Sequence, residues 1–214
     1  INYYSYLQNS RQQSLYHDKN WRSGMTLNDN NTDNLFSQTG DLDYFAGEKQ
    51  VPSGKNFQTY TSRARVWNWL LEQILPKEEA GSIQGDKSIL SHYIGEAYFF
   101  RALAYYQALV RYGDFPIIDE VLPDDQAILK ELSQRAPRNE VARFILKDLD
   151  TAISRLKDQG FQNNQRINKQ TAQLLKSRVA LFEATFEKYH KGTGRVPGDD
   201  TWPGKDMEYN QGKT

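Results

Sequence analysis

The sequence from Gly95 to Pro116 constrains the fold more than any other part of the chain. Small residues recur there at positions 95, 97, 102, 104 and 108, and aromatic residues occupy positions 98, 99, 100, 105 and 106. This composition is typical of a helix packed from more than one side, because small residues let neighbouring helices approach while the rings fill the space between them. Gly113 and Pro116 predict where that helix ends.

Three further helices are predicted from apolar residues at helical spacing, from Arg63 to Leu75, from Asn139 to about Gly160, and after Asn168. The Gly95 helix itself is predicted to run from Lys87 to Tyr112, with Asp86 as its N-cap. No segment shows the alternating pattern of a strand, so we predict an all-α fold. The last two helices are predicted to form an αα-hairpin in a tetratricopeptide-like stack.

Composition excludes several classes of function. Lys and Arg total 27, as do Asp and Glu, so the formal net charge is zero and no basic stripe is available for nucleic acid. A mean hydropathy of -0.79 and the absence of a long apolar run argue against a transmembrane helix. Without cysteine, the chain can form neither disulfides nor thiolate zinc sites, and it has no cysteine nucleophile.

A long irregular loop region is predicted near the N-terminus, from Trp21 to Ser62, after a weakly helical stretch. Its turn-forming residues alternate with aromatic side chains, a combination that suits sugars, whose C–H faces stack on rings while their hydroxyls bond to amides and carboxylates. The candidate glycan-binding residues are Trp21, Asn30, Asn31, Asp33, Tyr44 and Phe57. The alternative is that the aromatic residues pin the loops to the core.

Motifs for metals, cofactors or catalysis are weak, and we expect no cofactor, with an irregular calcium site at residues 29–33 as the alternative. Residues 29–33 resemble the first half of a calcium loop, but Asn34 replaces the turn glycine and Gly40 stands where the bidentate glutamate belongs. The Gly192-x-Gly194 pair follows a helix and lacks the third glycine of a phosphate loop. The scattered histidines, His17, His92 and His190, are expected at the surface or partly buried.

Charged residues within the helices are interpreted as structural. We expect Glu96 and Arg101 to form a polar pair between helices, because no further catalytic group accompanies them. A second set is expected to brace one hairpin against another rather than to cradle a phosphate, and it comprises Arg135, Arg138, Arg166 and Lys169. At least one of Trp67 and Trp69 is expected in the core, and Trp202 is expected to be exposed.

Three stretches, in order, resemble the SusD/RagB family of outer-membrane nutrient-binding lipoproteins. They are the Gly95 helix with its Tyr-Gly-Asp-Phe-Pro exit at 112–116, the segment 135–153, and the segments 166–172 and 178–182; Asn68 adds a plausible fourth match. The resemblance implies non-catalytic, lipid-anchored proteins with tetratricopeptide-like scaffolds. It also implies a position over a TonB-dependent SusC-like transporter on the extracellular face of a Gram-negative outer membrane, where glycans or, in some members, peptides are captured for import.

We therefore expect residues 1–214 to be a single SusD-like N-terminal domain, a fragment of a longer chain, because residues 191–214 form a loop rather than a capping helix. Residues 1–62 would carry a helix and the ligand loops, and residues 63–190 the scaffold. The lipid anchor would lie upstream of Ile1, and the family implies a longer C-terminal half. The alternative function is a helical-hairpin scaffold that binds peptides or a protein partner, and a helical glycosidase is a third.

Overall fold

The computed structural model describes residues 55–205, with side chains from residue 60 onward. The helices in this part of the chain are α1 (Lys55–Glu79), α2 (Lys87–Tyr112), α3 (Gln126–Leu132), α4 (Arg138–Arg155) and α5 (Lys169–His190). A short 3-10 segment, Phe161–Asn164, lies between α4 and α5. No strand is present within residues 55–205, where an isolated antiparallel bridge joins Phe115 to Ala136. The all-α prediction is confirmed for this part.

Helices α2 and α5 begin and end where local sequence signals place them. Asp86 caps α2 by accepting a hydrogen bond from the amide of Ser88 at 2.7 Å, and Asn168 caps α5 by accepting one from Thr171 at 2.9 Å. Gly113 ends α2 with φ at 71°, a backbone conformation that glycine adopts without steric cost. These ends are encoded by residues adjacent in sequence, so the pattern predicts them well.

The first helix is longer than predicted. It begins at Lys55 rather than at Arg63, and it continues through Pro76 to Glu79. Proline lacks the amide hydrogen that would bond to the carbonyl of Glu72, but its own carbonyl still accepts from Ala80 at 3.0 Å, so the last turn is kept. Phe57 therefore lies on a helix and not in an irregular loop.

Helix α4 differs from the prediction at both ends. It begins at Arg138, and Asn139 lies inside the first turn rather than at the cap. The amide of Arg138 instead donates to the carboxylate of Asp114, 24 residues earlier, at 2.9 Å. The helix ends at Arg155, before Gly160. Short helix α3 was not predicted at all, although Asp125 caps it through the amides of Ala127 and Ile128.

Among the long helices, α2 is in contact with α1 and α4, and α4 is in contact with α5. The predicted αα-hairpin is thus the α4–α5 pair. The predicted apolar stripe of α4 is completely buried, and it comprises Val141, Ile145, Leu149, Ala152 and Leu156. On the other side of α2, Trp67 stacks on Phe100 with ring centroids 5.0 Å apart, whereas Trp69 is 53% exposed.

Gly95 on α2 packs closely against the end of α4. A Cβ atom added there would lie 3.0 Å from Cβ of Arg155 and 3.2 Å from the backbone nitrogen of Leu156. The neighbouring small residues Ala97, Ala102, Ala104 and Ala108 are also almost fully buried. The role predicted for the small residues of this helix is confirmed.

Replacing Gly95 by Val should destabilise the protein by about 2–3 kcal/mol, since overpacking against backbone cannot be relieved by moving a flexible side chain. The measurement is the free energy of unfolding from urea denaturation. Ala180→Val, which introduces the same side chain at an exposed position of α5, should cost less than about 1 kcal/mol. Equal losses at the two positions would contradict the packing role of Gly95.

Candidate functional site

The predicted glycan-binding residues lie almost entirely outside the described part of the chain. Trp21, Asn30, Asn31, Asp33 and Tyr44 precede residue 55, and Phe57 is described only by its helical backbone. Their role therefore stays a prediction. The described residues instead show how the scaffold is held together and which of its polar groups are already engaged.

A buried ion pair joins the middle of α2 to the middle of α4. Arg101 donates from Nε and Nη2 to the two carboxylate oxygens of Asp148, both at 2.7 Å, and the two residues are 6% and 3% exposed. Burial opposes the charge of Arg101, but the hydrogen bonds and charge of Asp148 outweigh it and raise the pKa of the guanidinium. The ring faces of Tyr98 and Phe144 flank the guanidinium at 5.2 Å each. The pair is a structural connection with its hydrogen bonds satisfied.

The same network fixes the segment that follows α2. Arg101 donates from Nη1 to Oδ1 of Asn68 at 3.0 Å, and Asn68 in turn donates to the backbone carbonyls of Ile118 and Glu120. The hydroxyl of Tyr105 accepts from the amide of Ile118 at 2.9 Å and donates to its carbonyl at 2.8 Å. Helices α1 and α2 thus hold this loop through its backbone, and Arg101 adds a bond to the carbonyl of Asp119 at 3.3 Å.

A second buried pair connects α4 to α5. Arg138 donates from Nε and Nη2 to the carboxylate of Glu183 at 2.7 and 2.8 Å, and its guanidinium lies 3.2 Å from the ring centre of Phe186. Lys169 approaches Asp158 at 3.6 Å across the turn between these helices. Arg138 and Lys169 therefore brace the α4–α5 hairpin internally, so the prediction that they brace one hairpin against another is wrong, while Arg135 places its positive charge near Asp114.

Glu96 and Arg101 do not pair with each other, contrary to the prediction. Glu96 accepts from Arg166 instead, with Nε to Oε1 at 2.8 Å and a second bond between Nη2 and Oε2. His92 is completely buried beside this pair, so the expectation of a surface or partly buried histidine is wrong here. Its position three residues before Gly95, on the closely packed face of α2, explains the burial.

Trp202 is buried rather than exposed, with 4% of its surface accessible. Its indole nitrogen donates to Oδ2 of Asp114 at 3.2 Å, while Oδ1 of the same carboxylate receives the amide of Arg138. Burial raises the pKa of Asp114, and these two hydrogen bonds oppose the rise. One carboxylate therefore joins the exit of α2, the start of α4 and the loop after α5.

The loop after α5 has its own internal support. Asp199 accepts from the amides of Gly192 and Gly194 at 2.8 and 3.1 Å, so these amides are already engaged by a side chain of the chain itself. A Cβ atom at Gly204 would lie 2.3 Å from the ring of Trp202, which only glycine allows. This geometry agrees with the prediction that Gly192-x-Gly194 is not a phosphate loop.

The buried ion pairs described above connect the helices and loops of the scaffold. Within residues 55–205, no group of three or more His, Asp or Glu side chains could hold a metal ion, and no helix is long and apolar enough to cross a membrane. The large hydrophobic side chains that are exposed in this part of the chain are Trp69, Tyr93, Val110, Ile128, Leu132, Leu174, Leu181 and Tyr189. The arrangement can hold loops rigidly and present a surface for binding.

Removing one member of the Arg101–Asp148 pair should destabilise the protein strongly, because the remaining charge stays buried without its partner. Arg101→Met and Asp148→Leu should each lower the free energy of unfolding by about 3–5 kcal/mol, and the double variant should recover much of that loss. The matched control is the exposed pair Lys176–Asp150, whose removal should cost at most about 1 kcal/mol. Strictly additive losses at 101 and 148 would contradict the coupling.

Replacing Asp114 by Ala should release the loop that carries Trp202, because the indole and the first amide of α4 lose their common acceptor. The loss of two partly buried hydrogen bonds, together worth about 2–3 kcal/mol, should raise trypsin cleavage after exposed Arg195 by about 30-fold or more. Asp200→Ala is the control, since exposed Asp200 bonds only to Lys205 of the same loop among the described residues. Cleavage that is equally slow in both variants would refute the link.

Comparison with known proteins identifies the family. A SusD-like family model, described as "Starch-binding associating with outer membrane", matches residues 3–181. A SusD-like protein P2 from Formosa agariphila is 33% identical over 109 residues, which cover 51% of this chain and 21% of that protein. The chain thus spans about a fifth of the length of this curated relative.

Two solved structures from Bacteroides fragilis share the fold. A SusD-like protein has a TM-score of 0.55 and 28% identity, with 68% of this chain and 27% of that chain covered. A SusD-like carbohydrate-binding protein has a TM-score of 0.60 and 18% identity, with 87% and 38% covered, and at that identity it shows the fold alone. Given a family match over residues 3–181, the helical scaffold and the motifs at its helix junctions, the chain belongs to the SusD-like family of outer-membrane-associated, starch-binding proteins.

Proposed function

We propose that this chain belongs to a non-catalytic receptor that binds an extracellular oligosaccharide or polysaccharide at the outer-membrane surface. The receptor delivers the glycan to a TonB-dependent SusC-like transporter, and a lipid anchor upstream of the chain holds it on the extracellular face. The single observation that carries the proposal is the family match over residues 3–181, whose description names both starch binding and the outer membrane.

The scaffold geometry supports a binding role. The buried guanidinium groups of Arg101 and Arg138 are each bound by a carboxylate on another helix, so they brace the protein and are not offered to a ligand. A scaffold braced in this way is rigid before a ligand arrives, and a preorganised protein loses less entropy on binding. No covalent step is needed for capture.

Ligand contacts are assigned to the aromatic and amide residues of the N-terminal region. Trp21, Tyr44 and Phe57 would stack on the apolar faces of sugar rings. Asn30, Asn31 and Asp33 would bond to the hydroxyls, because amides and carboxylates together supply the donors and acceptors that a hydroxyl needs. No metal is required by this chemistry, so binding should survive a chelator.

A second candidate function is the binding of peptides or a protein partner by the helical hairpin. It is favoured by Leu174 and Leu181, which are 73% and 67% exposed and lie seven residues apart on one face of α5. An amphipathic helix could place its apolar stripe against such a face. This candidate predicts peptide binding that is lost on Leu181→Asp and unaffected by changes at Trp21.

The test is a binding screen of the natural full-length protein against a panel of polysaccharides and peptides by isothermal titration calorimetry, with product analysis for cleavage. We expect saturable binding of one glycan class, no new reducing ends, and the same affinity with and without EDTA. Trp21→Ala and Tyr44→Ala should each weaken binding about tenfold, the loss expected for one aromatic stacking contact, without changing the thermal unfolding temperature.

Trp69→Ala is the matched control, since Trp69 is an exposed tryptophan outside the assigned contacts, and it should bind normally. Unchanged affinity in both the Trp21 and Tyr44 variants would refute those contacts while leaving the receptor role intact. Binding of peptides alone would refute the glycan proposal. Release of reducing ends during incubation would favour a glycosidase instead.

A further inference from the structure

The turn between α4 and α5, residues 156–168, is held against α2 by three contacts that converge on one spot. The amide of Lys157 donates to Nδ1 of His92 at 3.0 Å. The ring of Phe161 lies against the same imidazole, with centroids 4.3 Å apart. Arg166 reaches Glu96, one helical turn beyond His92. His92 and Glu96 thus form one site on α2 against which this turn packs, and we call it the His92–Glu96 site.

These contacts fix the protonation state of His92. Because Nδ1 accepts the backbone amide of Lys157, it must carry a lone pair, and the ring proton must reside on Nε2. Nε2 lies 3.2 Å from Oε1 of Glu96, where that proton is donated. The closed turn therefore requires a neutral imidazole of one tautomer, in a side chain with no accessible surface.

A second proton on His92 would disrupt this arrangement. It would point an N–H from Nδ1 directly at the N–H of Lys157, replacing a hydrogen bond with two opposed donors. The carboxylate of Glu96 cannot compensate fully, because its charge is already balanced by Arg166. Added positive charge would also meet Lys157, whose ammonium lies 5.0 Å from the Phe161 ring. Movement of the turn away from His92 would relieve both the clash of the two N–H donors and the added repulsion between positive charges.

The turn itself stores backbone strain that favours opening. Gln162, Asn163 and Asn164 have φ of 45°, 55° and 61°, three consecutive non-glycine residues in the left-handed region. Such residues persist there only when surrounding contacts hold them, although asparagine tolerates the conformation better than most. Within the turn, Asn164 helps by accepting from the amide of Gly160 at 2.7 Å. The amide of Gln159 also donates to Gln170 at the start of α5, and Gln170 donates to Asp158. The His92–Glu96 site adds the contacts that join the turn to α2.

We propose that His92 is an acid-sensitive latch that keeps the α4–α5 turn closed when its imidazole is neutral and releases residues 157–166 when it is protonated. The other charged groups around it are Glu96, Arg166 and Lys157, with the pairs Asp158–Lys169 and Glu78–Arg155 flanking the turn and the end of α4. Histidine is the one side chain among these types whose ordinary pKa lies between 5 and 8.

The direction of the pH dependence follows from burial. Burial lowers the pKa of His92 below its usual 6.5, and the charge and hydrogen bond of Glu96 only partly oppose that shift. A released histidine therefore binds protons more readily than a latched one. The contact with neutral His92 therefore stabilises the closed turn fully above pH 6.5, and this stabilisation is lost as the pH falls below that value. The equilibrium constant for opening rises by up to about tenfold for each pH unit of that fall.

The experiment is hydrogen–deuterium exchange with mass spectrometry on the natural full-length protein at pH 7.5 and 5.5, corrected for the intrinsic pH dependence of amide exchange. Peptides covering residues 157–166 should lose protection by about tenfold at the lower pH, while peptides from the buried middle of α4 should not change. His92→Asn should abolish the difference, because an asparagine oxygen can accept from Lys157 at the Nδ1 position but cannot gain a proton.

His190→Asn is the matched control, since this other described histidine packs on Phe186 at the far end of α5 and should leave the response intact. Equal protection of residues 157–166 at both pH values would overturn the proposal, as would a pH response that persists in His92→Asn. Loss of protection throughout the helices would indicate general acid unfolding and would also overturn it. If His92→Asn does not fold, the pKa of His92 is measured in the wild-type protein by nuclear magnetic resonance titration. A pKa below 6.5 supports the latch, and a pKa at or above 6.5 refutes it.

Discussion

The bidentate pair between Arg101 and Asp148 determines how the helices of this protein meet. Two charges removed from water lose several kcal/mol each in hydration, and only close, well-directed hydrogen bonds recover that loss. Arg101 obtains them from a carboxylate on α4 and an amide on α1 at the same time. A shift of α2 by one turn would separate all three partners, so the pair selects one register among the many that apolar packing alone would tolerate.

That register then positions the connecting segments. With α2 fixed, Asn68 and Tyr105 present their polar atoms to the backbone of Ile118, and Asp114 comes within reach of both the start of α4 and the indole of Trp202. Each loop is held through its backbone or through one anchoring side chain.

The sequence predicts the helices well where their signals are local. The ends of α2 and α5 follow from Asp86, Gly113 and Asn168, and the stripe from Val141 to Leu156 correctly predicts the buried face of α4. Sequence fails where a distant residue decides the outcome. The start of α4 depends on Asp114, and the burial of Trp202 depends on the same carboxylate, so neither can be read from neighbouring residues. The sequence also does not show which charged residues pair with each other. Glu96 and Arg101 are near each other in sequence, but Arg101 bonds to Asp148 on α4 and Glu96 bonds to Arg166 in the turn.

The contrast between Arg101 and His92 shows why one buried polar group is permanent and the other conditional. Arginine keeps its charge at any physiological pH, so Arg101 remains a charged partner for the carboxylate of Asp148 throughout that range. Histidine is matched here in its neutral form, by an amide donor on one nitrogen and an already compensated carboxylate on the other. Both groups specify a unique packing at neutral pH. Only the histidine can change its charge between about pH 5 and 8. Among the buried polar connections described within residues 55–205, the contact between α2 and the α4–α5 turn is therefore the one that depends on a histidine proton.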